Sequence, residues 1–133
     1  MDGTGERGGR RRSRRQRLSR SAEFDRVYRE GRSHANRYLV VYSFPRGGDE
    51  EADARLGVSV GRKVGGAVER NRVKRLLRDA FWAIAEELPP GHDFVVVARP
   101  DSGELASREG EPGIERALRE LLEKAGFAGS EVA

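Results

Sequence analysis

Residues 55–81, RLGVSVGRKVGGAVERNRVKRLLRDAF, combine the pattern of a short strand with that of a long amphipathic helix. Apolar residues alternate with small ones over residues 55–61, which predicts a strand with one apolar face. A helical period follows from about Gly66 to Leu88, where the sequence Pro-Pro-Gly ends it. This stretch therefore predicts a strand, a basic turn and a long helix in direct succession.

The two faces of this helix differ sharply in character. On a helical wheel of about 100° per residue, the apolar residues fall within about 80° of Val73. These apolar residues are Leu76, Leu77, Ala80, Phe81 and Ile84. The far side carries Asn71, Lys74, Arg75 and Arg78, flanked by Arg70 and Arg72. One face is thus expected to enter the core, and the other forms a basic band.

The position of this band is unfavourable for an isolated helix. Cations near a helix N-terminus oppose the helix dipole at a cost of about 0.3–1 kcal/mol each. Glu69 is the only acid between residues 62 and 78, so the usual pairing of acids with bases along a helix is missing. An external polyanion would relieve this repulsion, and RNA or DNA is therefore the favoured partner.

The charge distribution supports the same partner class. The chain of 133 residues carries a net charge of +4. Residues 1–20 hold eight arginines against two acids, and residues 62–78 hold seven cations against one, so the remainder is acidic. The absence of cysteine excludes disulfides and thiol chemistry and fits a reducing cytoplasm. No apolar run approaches the length of a membrane span, so no membrane association is expected.

The chain is long enough for one domain with tails. We expect a disordered Arg-rich tail over residues 1–16, a single α/β domain over 17–126 and a short C-terminal tail over 127–133. The predicted elements, in order, are a helix ending at Gly31, strands over 37–44 and 55–61, the basic helix, a strand over 92–100 and a helix over 112–125. A short extra strand near residues 33–35 is also possible. The strands over 37–44 and 55–61 are expected to form an antiparallel pair.

Two interpretations of the aromatic residues remain open from the sequence. Phe24 and Tyr28 are one helical turn apart, and packing onto the sheet is the stronger interpretation for Phe24. Tyr28 and Tyr42 either pack in the same way or line a groove for single-stranded nucleic acid. The cations nearest to such a groove would be Arg26, Arg62 and Lys63.

A catalytic site within the protein has little support. His34 and His92 are isolated and lack metal-ligand spacing. The acidic segment over residues 49–53 is typical of a loop, and no phosphate-binding Gly-rich motif is complete. We therefore assign no catalytic residue and no metal ligand.

The same residues carry a family resemblance. The quoted stretch closely resembles the signature of the bacterial ribonuclease P protein subunit, with its Lys/Arg-Lys pair and Arg-Asn-Arg-x-Lys-Arg-x-x-Arg helix. The resemblance extends to RLSRSAEFDRVYREGR, ANRYLVVYSF and LPPGHDFVVVARP, and it covers about residues 17–125. Gly61 and Gly66 stand where that family often has Ser and Asn.

The resemblance implies a fold and a function. The fold is an α/β (α+β) sandwich with a small mixed sheet of three to four strands, the order α-β-β(-β)-α-β-α and a left-handed β-α-β crossover. The function is that of a subunit of a ribonucleoprotein endonuclease that removes the 5′ leader of precursor tRNA in the cytoplasm. Its partners are the catalytic RNA subunit, which binds the magnesium, and precursor tRNA, with one protein per RNA.

The resemblance also assigns site residues. The residues facing the RNA subunit are Arg70, Asn71, Arg72, Lys74, Arg75 and Arg78. The residues lining the leader cleft are Phe24, Tyr28, Tyr42, Arg62 and Lys63. The Arg-rich tail would be a nonspecific RNA-binding arm or a solvated tail. Two alternatives stay open for the function: a general RNA-binding or ribosome-associated protein, and a self-sufficient nuclease.

Overall fold

The computed structural model describes residues 16–17, 21–45, 54–88 and 91–127. The strands are β1 Gln16–Arg17, β2 Arg32–Ala35, β3 Leu39–Pro45, β4 Arg55–Val60 and β5 His92–Ala98. The helices are α1 Ser21–Glu30, α2 Ala67–Ile84 and α3 Ser102–Lys124, with 3₁₀ turns at Arg62–Val64 and Ala85–Glu87. The predicted α-β-β-β-α-β-α order is confirmed, and the short strand expected near residues 33–35 is β2.

The strands form one mixed sheet in the order β1-β4-β5-β3-β2. β5 lies between β4, to which it is parallel, and β3, to which it is antiparallel. The predicted direct pairing of the strands over 37–44 and 55–61 is therefore wrong, because β5 separates them. Local sequence could not show this, since β5 enters the sheet only after the α2 crossover. The left-handedness of that crossover stays a prediction.

Strand β5 supports a core on each face of the sheet. Phe94 and Val96 face α2 and α3, whereas Val95 faces α1, and all three are fully buried. The unbroken apolar run of β5 predicted a strand covered on both faces, and the structure confirms it. Helices α2 and α3 pack together over the larger core, and α1 covers the smaller one.

The orientation of α1 is fixed at its C-terminal end. The helix ends at Glu30, and the following Gly31 lies against Ser43 of β3. A Cβ at Gly31 would lie 2.5 Å from the carbonyl oxygen of Val27 and 2.6 Å from that of Ser43. Because both contacts are with backbone, glycine alone fits, and α1 crosses the sheet face at this point.

Two predicted boundaries are wrong. The predicted loop before residue 112 is helical from Ser102, and the last helix is broken at Gly110, whose φ is 65° and ψ is −152°. Gly110 and Pro112 suggested a loop because both disfavour regular helix, yet they occupy a kink between two helical segments. Gln16, assigned to the disordered tail, belongs to β1. The rest of that tail and residues 128–133 lie outside the described residues.

A buried ion pair joins the first residues of β4 and β5. The Arg55 Nε atom donates to Asp93 Oδ1 at 2.9 Å, and its Nη2 atom donates to Oδ2 at 2.8 Å. The Asp93 side chain is 1% exposed and that of Arg55 is 19% exposed. Arg55 and Asp93 are register partners in the parallel ladder, so the pair holds the two strands in alignment.

Removing one member of this pair should destabilise the domain. We expect Asp93→Ala to lower the free energy of unfolding by about 3–5 kcal/mol, because it removes a carboxylate that bonds the largely buried Arg55 guanidinium through two hydrogen bonds. Urea denaturation measures this change. Asp101→Ala, which breaks the exposed pair of Asp101 with Arg37, is the control and should cost about 1 kcal/mol or less. Equal effects would contradict the structural role of the buried pair.

Candidate nucleic-acid interface

Helix α2 presents the basic band as the wheel predicted. Its buried residues are Val73, Leu77, Ala80, Phe81 and Ile84. Leu76, placed in the core by the wheel, is only partly buried at the core's edge. Of the six predicted RNA-subunit contacts, Asn71 and Arg75 are exposed, and Arg70, Arg72, Lys74 and Arg78 are half-buried. The structure thus brings all six to the surface of one rigid helix.

The band lacks acidic partners. In the described part of the chain, none of its cations forms an ion pair, and Arg70 contacts only the Gly66 carbonyl, at 3.4 Å. On α3, by contrast, Arg108 pairs with Glu104 at 3.4 Å. Arg116 pairs with Glu109, and Arg119 pairs with Glu87 at 2.9 Å. The positive charge of α2 is therefore available to an external anion.

The N-terminus of α2 and the side chain of Arg72 are both weakly satisfied. Gly66, which stands where the related family often has Asn, caps the helix without a side-chain hydrogen bond. The Arg72 Nε atom is shielded from solvent and has no hydrogen-bond partner among the described residues. An unpaired buried donor is costly, so the helix that carries the band gives up some stability.

Three aromatic rings meet where α1 crosses the sheet. Phe24 and Tyr28 lie 6.2 Å apart on α1, and the Tyr28 ring stands edge-on to Tyr42 of β3 at 4.8 Å. Phe24 and Tyr42 also pack against the core formed by Val27 and Val95. Tyr28 remains 39% exposed, so the structure supports packing for Phe24 and an accessible ring for Tyr28. We call these three residues the aromatic cleft.

The hydroxyl group of Tyr28 reaches across to β4. Burial raises the pKa of Tyr28 above its usual 10.0, and a hydrogen bond with Ser59 opposes this shift. The phenol therefore stays protonated, and able to donate, at neutral and mildly alkaline pH. Ser59 was not among the predicted site residues. Ser59 lies on the face of its strand opposite the apolar residues, and this position was the one sequence signal that could have indicated a role in the site.

The remaining predicted cleft residues, Arg62 and Lys63, lie on the exposed 3₁₀ turn that follows β4. Val60 and Gly61 separate this turn from Ser59, which contacts Tyr28. A single segment, β4 to α2, thus links the aromatic cleft, the basic turn and the basic band.

Arg26 was expected beside the Tyr28 groove and is not there. Its guanidinium lies over the ring of Phe44, 5.3 Å from the ring centre. Residues 26 and 28 flank the buried Val27 on opposite sides of the helix, which explains the difference.

Other constellations in the described residues are structural. Residues 16–17, 21–45, 54–88 and 91–127 contain no group of three His, Cys, Asp or Glu residues placed to hold a metal ion. His92 packs against Phe94 and Phe127, with ring centres 6.0 and 5.3 Å apart. Trp82 lies edge-on to Phe81 at 5.0 Å. No helix in the same residues is long and apolar enough to span a membrane.

Together, the fold and its surfaces define a small α+β protein of the nucleic-acid-binding class, with a basic helix face joined to an aromatic cleft. The family model of ribonuclease P matches residues 13–126. The ribonuclease P protein component of Bacillus cereus strain B4264 is 35% identical over 111 residues, covering 84% of this chain and 91% of the relative. That of Geobacillus thermodenitrificans is 40% identical over 110 residues, covering 83% and 86%.

Solved structures agree with the sequence relatives. The Staphylococcus aureus RNase P protein superposes with a TM-score of 0.72 at 33% identity, covering 85% of this chain and 97% of that one. The Thermotoga maritima RNase P protein gives 0.71 at 34% identity, covering 83% and 97%. The chain therefore belongs to the ribonuclease P protein family. It acts in tRNA processing as the protein subunit of ribonuclease P, with the RNase P RNA as its partner. The general RNA-binding alternative is not supported.

Truncation of the basic band should weaken RNA binding without unfolding the protein. We expect Arg72→Ala and Arg75→Ala each to reduce the slope of log Kd against log salt concentration by about one, because each removes about one phosphate contact. Binding to the RNase P RNA over a salt series measures this. Arg108→Ala on α3, whose guanidinium is already paired with acids, should leave the slope unchanged.

Thermal unfolding of the same variants provides the structural check. Both α2 variants should be as stable as the parent protein or slightly more stable, because each removes one of several like charges spaced three or four residues apart on the helix. Loss of folding in either variant would show that the band is structural.

Proposed function

We propose that this chain supplies binding surfaces to ribonuclease P and that phosphodiester hydrolysis takes place in the RNA subunit. The observation that carries this proposal is the contrast between α2, whose cations form no ion pair among the described residues, and α3, whose arginines are paired. A surface that keeps its charge free at a cost in stability is suited to binding a polyanion.

Magnesium is proposed to bind mainly to the RNA subunit. The described residues do not fit a magnesium site built from protein ligands, because no three carboxylate or imidazole groups converge. We therefore derive no step through a metal in this chain. Neutralising nearby phosphates with arginine lowers local repulsion, and this can strengthen the binding of substrate and cations by the RNA.

The band on α2 is proposed to face the RNA subunit. Its contact residues are Arg70, Asn71, Arg72, Lys74, Arg75 and Arg78, all on one helix. Arginine guanidinium groups bind phosphate oxygens in a bidentate manner, and four of these six residues are arginines. Because the helix is packed against α3 along its apolar side, these groups are held at fixed spacing.

The aromatic cleft, with Arg62 and Lys63, is proposed to hold the single-stranded 5′ leader of precursor tRNA. Unpaired bases stack on aromatic rings regardless of sequence, and adjacent cations follow the backbone. The accessible ring of Tyr28, fixed against Tyr42, provides such a surface. One protein per RNA subunit is also proposed, since the described residues present one basic band and one aromatic cleft. The cytoplasm, where precursor tRNA is available, is the proposed location.

Cleavage assays test where the catalytic centre lies. Purified protein with precursor tRNA and magnesium should give no cleavage, whereas addition of the RNA subunit should give removal of the 5′ leader. The RNA subunit alone is the matched control, and it should bind precursor tRNA more weakly than the complex. Cleavage by RNA-free protein would overturn the proposal and favour a self-sufficient nuclease.

Leader recognition is tested separately at Tyr28. We expect Tyr28→Ala to weaken binding of leader-bearing precursor tRNA to the reconstituted enzyme by about 5- to 100-fold, the range expected for one lost base stack. Tyr28→Phe keeps the ring and should bind nearly as well as the parent. Mature tRNA, which has no leader, should bind all three proteins equally. An equal loss for both RNAs would contradict a leader-specific role.

A further inference from the structure

The side of α1 opposite the aromatic cleft carries a second pairing of a cation with an aromatic ring. The Arg26 guanidinium carbon lies 5.3 Å from the centre of the Phe44 ring. Val27, which is fully buried between α1 and the sheet, separates this pair from Tyr28. On a helix, residues 26 and 28 are about 200° apart, one on each side of residue 27. The two surfaces are therefore distinct.

The Phe44 ring is held rigidly and the Arg26 side chain is not neutralised. Phe44 is half-buried and packs on the core of Val27 and Val95. Arg26 is exposed and forms no ion pair within the described ranges, whereas Arg29 on the same helix lies 3.7 Å from Glu30. Arg26 therefore offers a planar, positively charged group whose inner face rests on an aromatic ring and whose outer face is open.

The acid opposite Phe44 in the sheet is already part of an ion pair. In the ladder, Phe44 lies opposite Asp93, and Asp93 lies opposite Arg55. Because Asp93 is bound by Arg55 and is 1% exposed, its charge does not neutralise Arg26.

We propose that Arg26 and Phe44 form a second nucleotide-binding site, in which an unpaired base of RNA stacks on the outer face of the Arg26 guanidinium. Guanidinium planes and aromatic rings are the usual stacking surfaces for unpaired RNA bases. A base, the guanidinium and the Phe44 ring would form one continuous stack. The nucleotide comes from the distal part of the leader or from the RNA subunit. This inference rests on the proposed function.

Reconstituted ribonuclease P tests the site with variants of Arg26 and Phe44. Arg26→Ala should weaken RNA binding by about fivefold or more, because the stacking surface is lost. Arg26→Lys keeps the charge without the planar group and should be intermediate. Phe44→Leu keeps an apolar contact with the core, removes the ring beneath the guanidinium and should also weaken binding. Arg29→Ala removes the same charge from the same helix and should bind as the parent does.

Two measurements distinguish the source of the nucleotide. If the nucleotide belongs to the leader, the affinity of the parent enzyme for precursor tRNA will rise as the leader is lengthened. For the Arg26→Ala enzyme, the affinity will stop rising at a shorter leader length. If the nucleotide belongs to the RNA subunit, Arg26→Ala will weaken binding of that RNA in the absence of precursor tRNA. Either result supports the site. Unchanged binding in both measurements, or an equal loss in Arg29→Ala, overturns it.

The same leader series keeps this inference separate from the proposed function. If the parent enzyme binds every leader length and mature tRNA equally, the leader-binding function itself fails. If the affinity of the parent enzyme depends on leader length and Tyr28→Ala removes that dependence, the leader-binding function stands. Binding by the Arg26 and Phe44 variants then decides whether the second site exists. Thermal unfolding of each variant shows that the loss is not one of folding.

Discussion

The position of β5 at the centre of the sheet is the constraint on which the rest of the structure depends. Its backbone bonds to β4 on one side and β3 on the other, and its side chains enter a core on each face. The basic helix packs on one face because Phe94 and Val96 are there. The aromatic cleft lies on the other because Val95 anchors Val27 of α1. Both surfaces thus depend on one apolar strand.

The arrangement of charge explains why a small domain tolerates the band on α2. The larger core holds that helix through its apolar side, so repulsion among its cations does not decide whether the domain folds. The arginines of α3, by contrast, are paired with Glu104, Glu109 and Glu87. Net charge alone conceals this segregation, because acids outside the basic segments offset most of their positive charge.

The sequence predicts those features of the structure that depend on local interactions. It does not predict those that depend on contacts between distant parts of the chain. Periodicity located α2, and the apolar run of residues 92–98 indicated that β5 is covered on both faces. The place of β5 between β3 and β4 depends on pairing across more than thirty residues of chain, which no local pattern encodes. Arg26 was grouped with the Tyr28 groove although residues 26 and 28 are about 200° apart on a helix, so helical periodicity could have separated them. The sheet residue that Arg26 meets, Phe44, depends on how α1 crosses the sheet, and no local pattern encodes that crossing.

The direct path from β4 through one 3₁₀ turn into α2 has a mechanical consequence. The described chain between Ser59 and Arg70 contains no flexible linker: it consists of strand, turn and helix, each packed or hydrogen-bonded to its neighbours. The cleft and the basic band therefore cannot move independently. A single-stranded RNA bound in the cleft and an RNA bound on the basic band are therefore held at a fixed distance from each other. The length of this segment sets that distance.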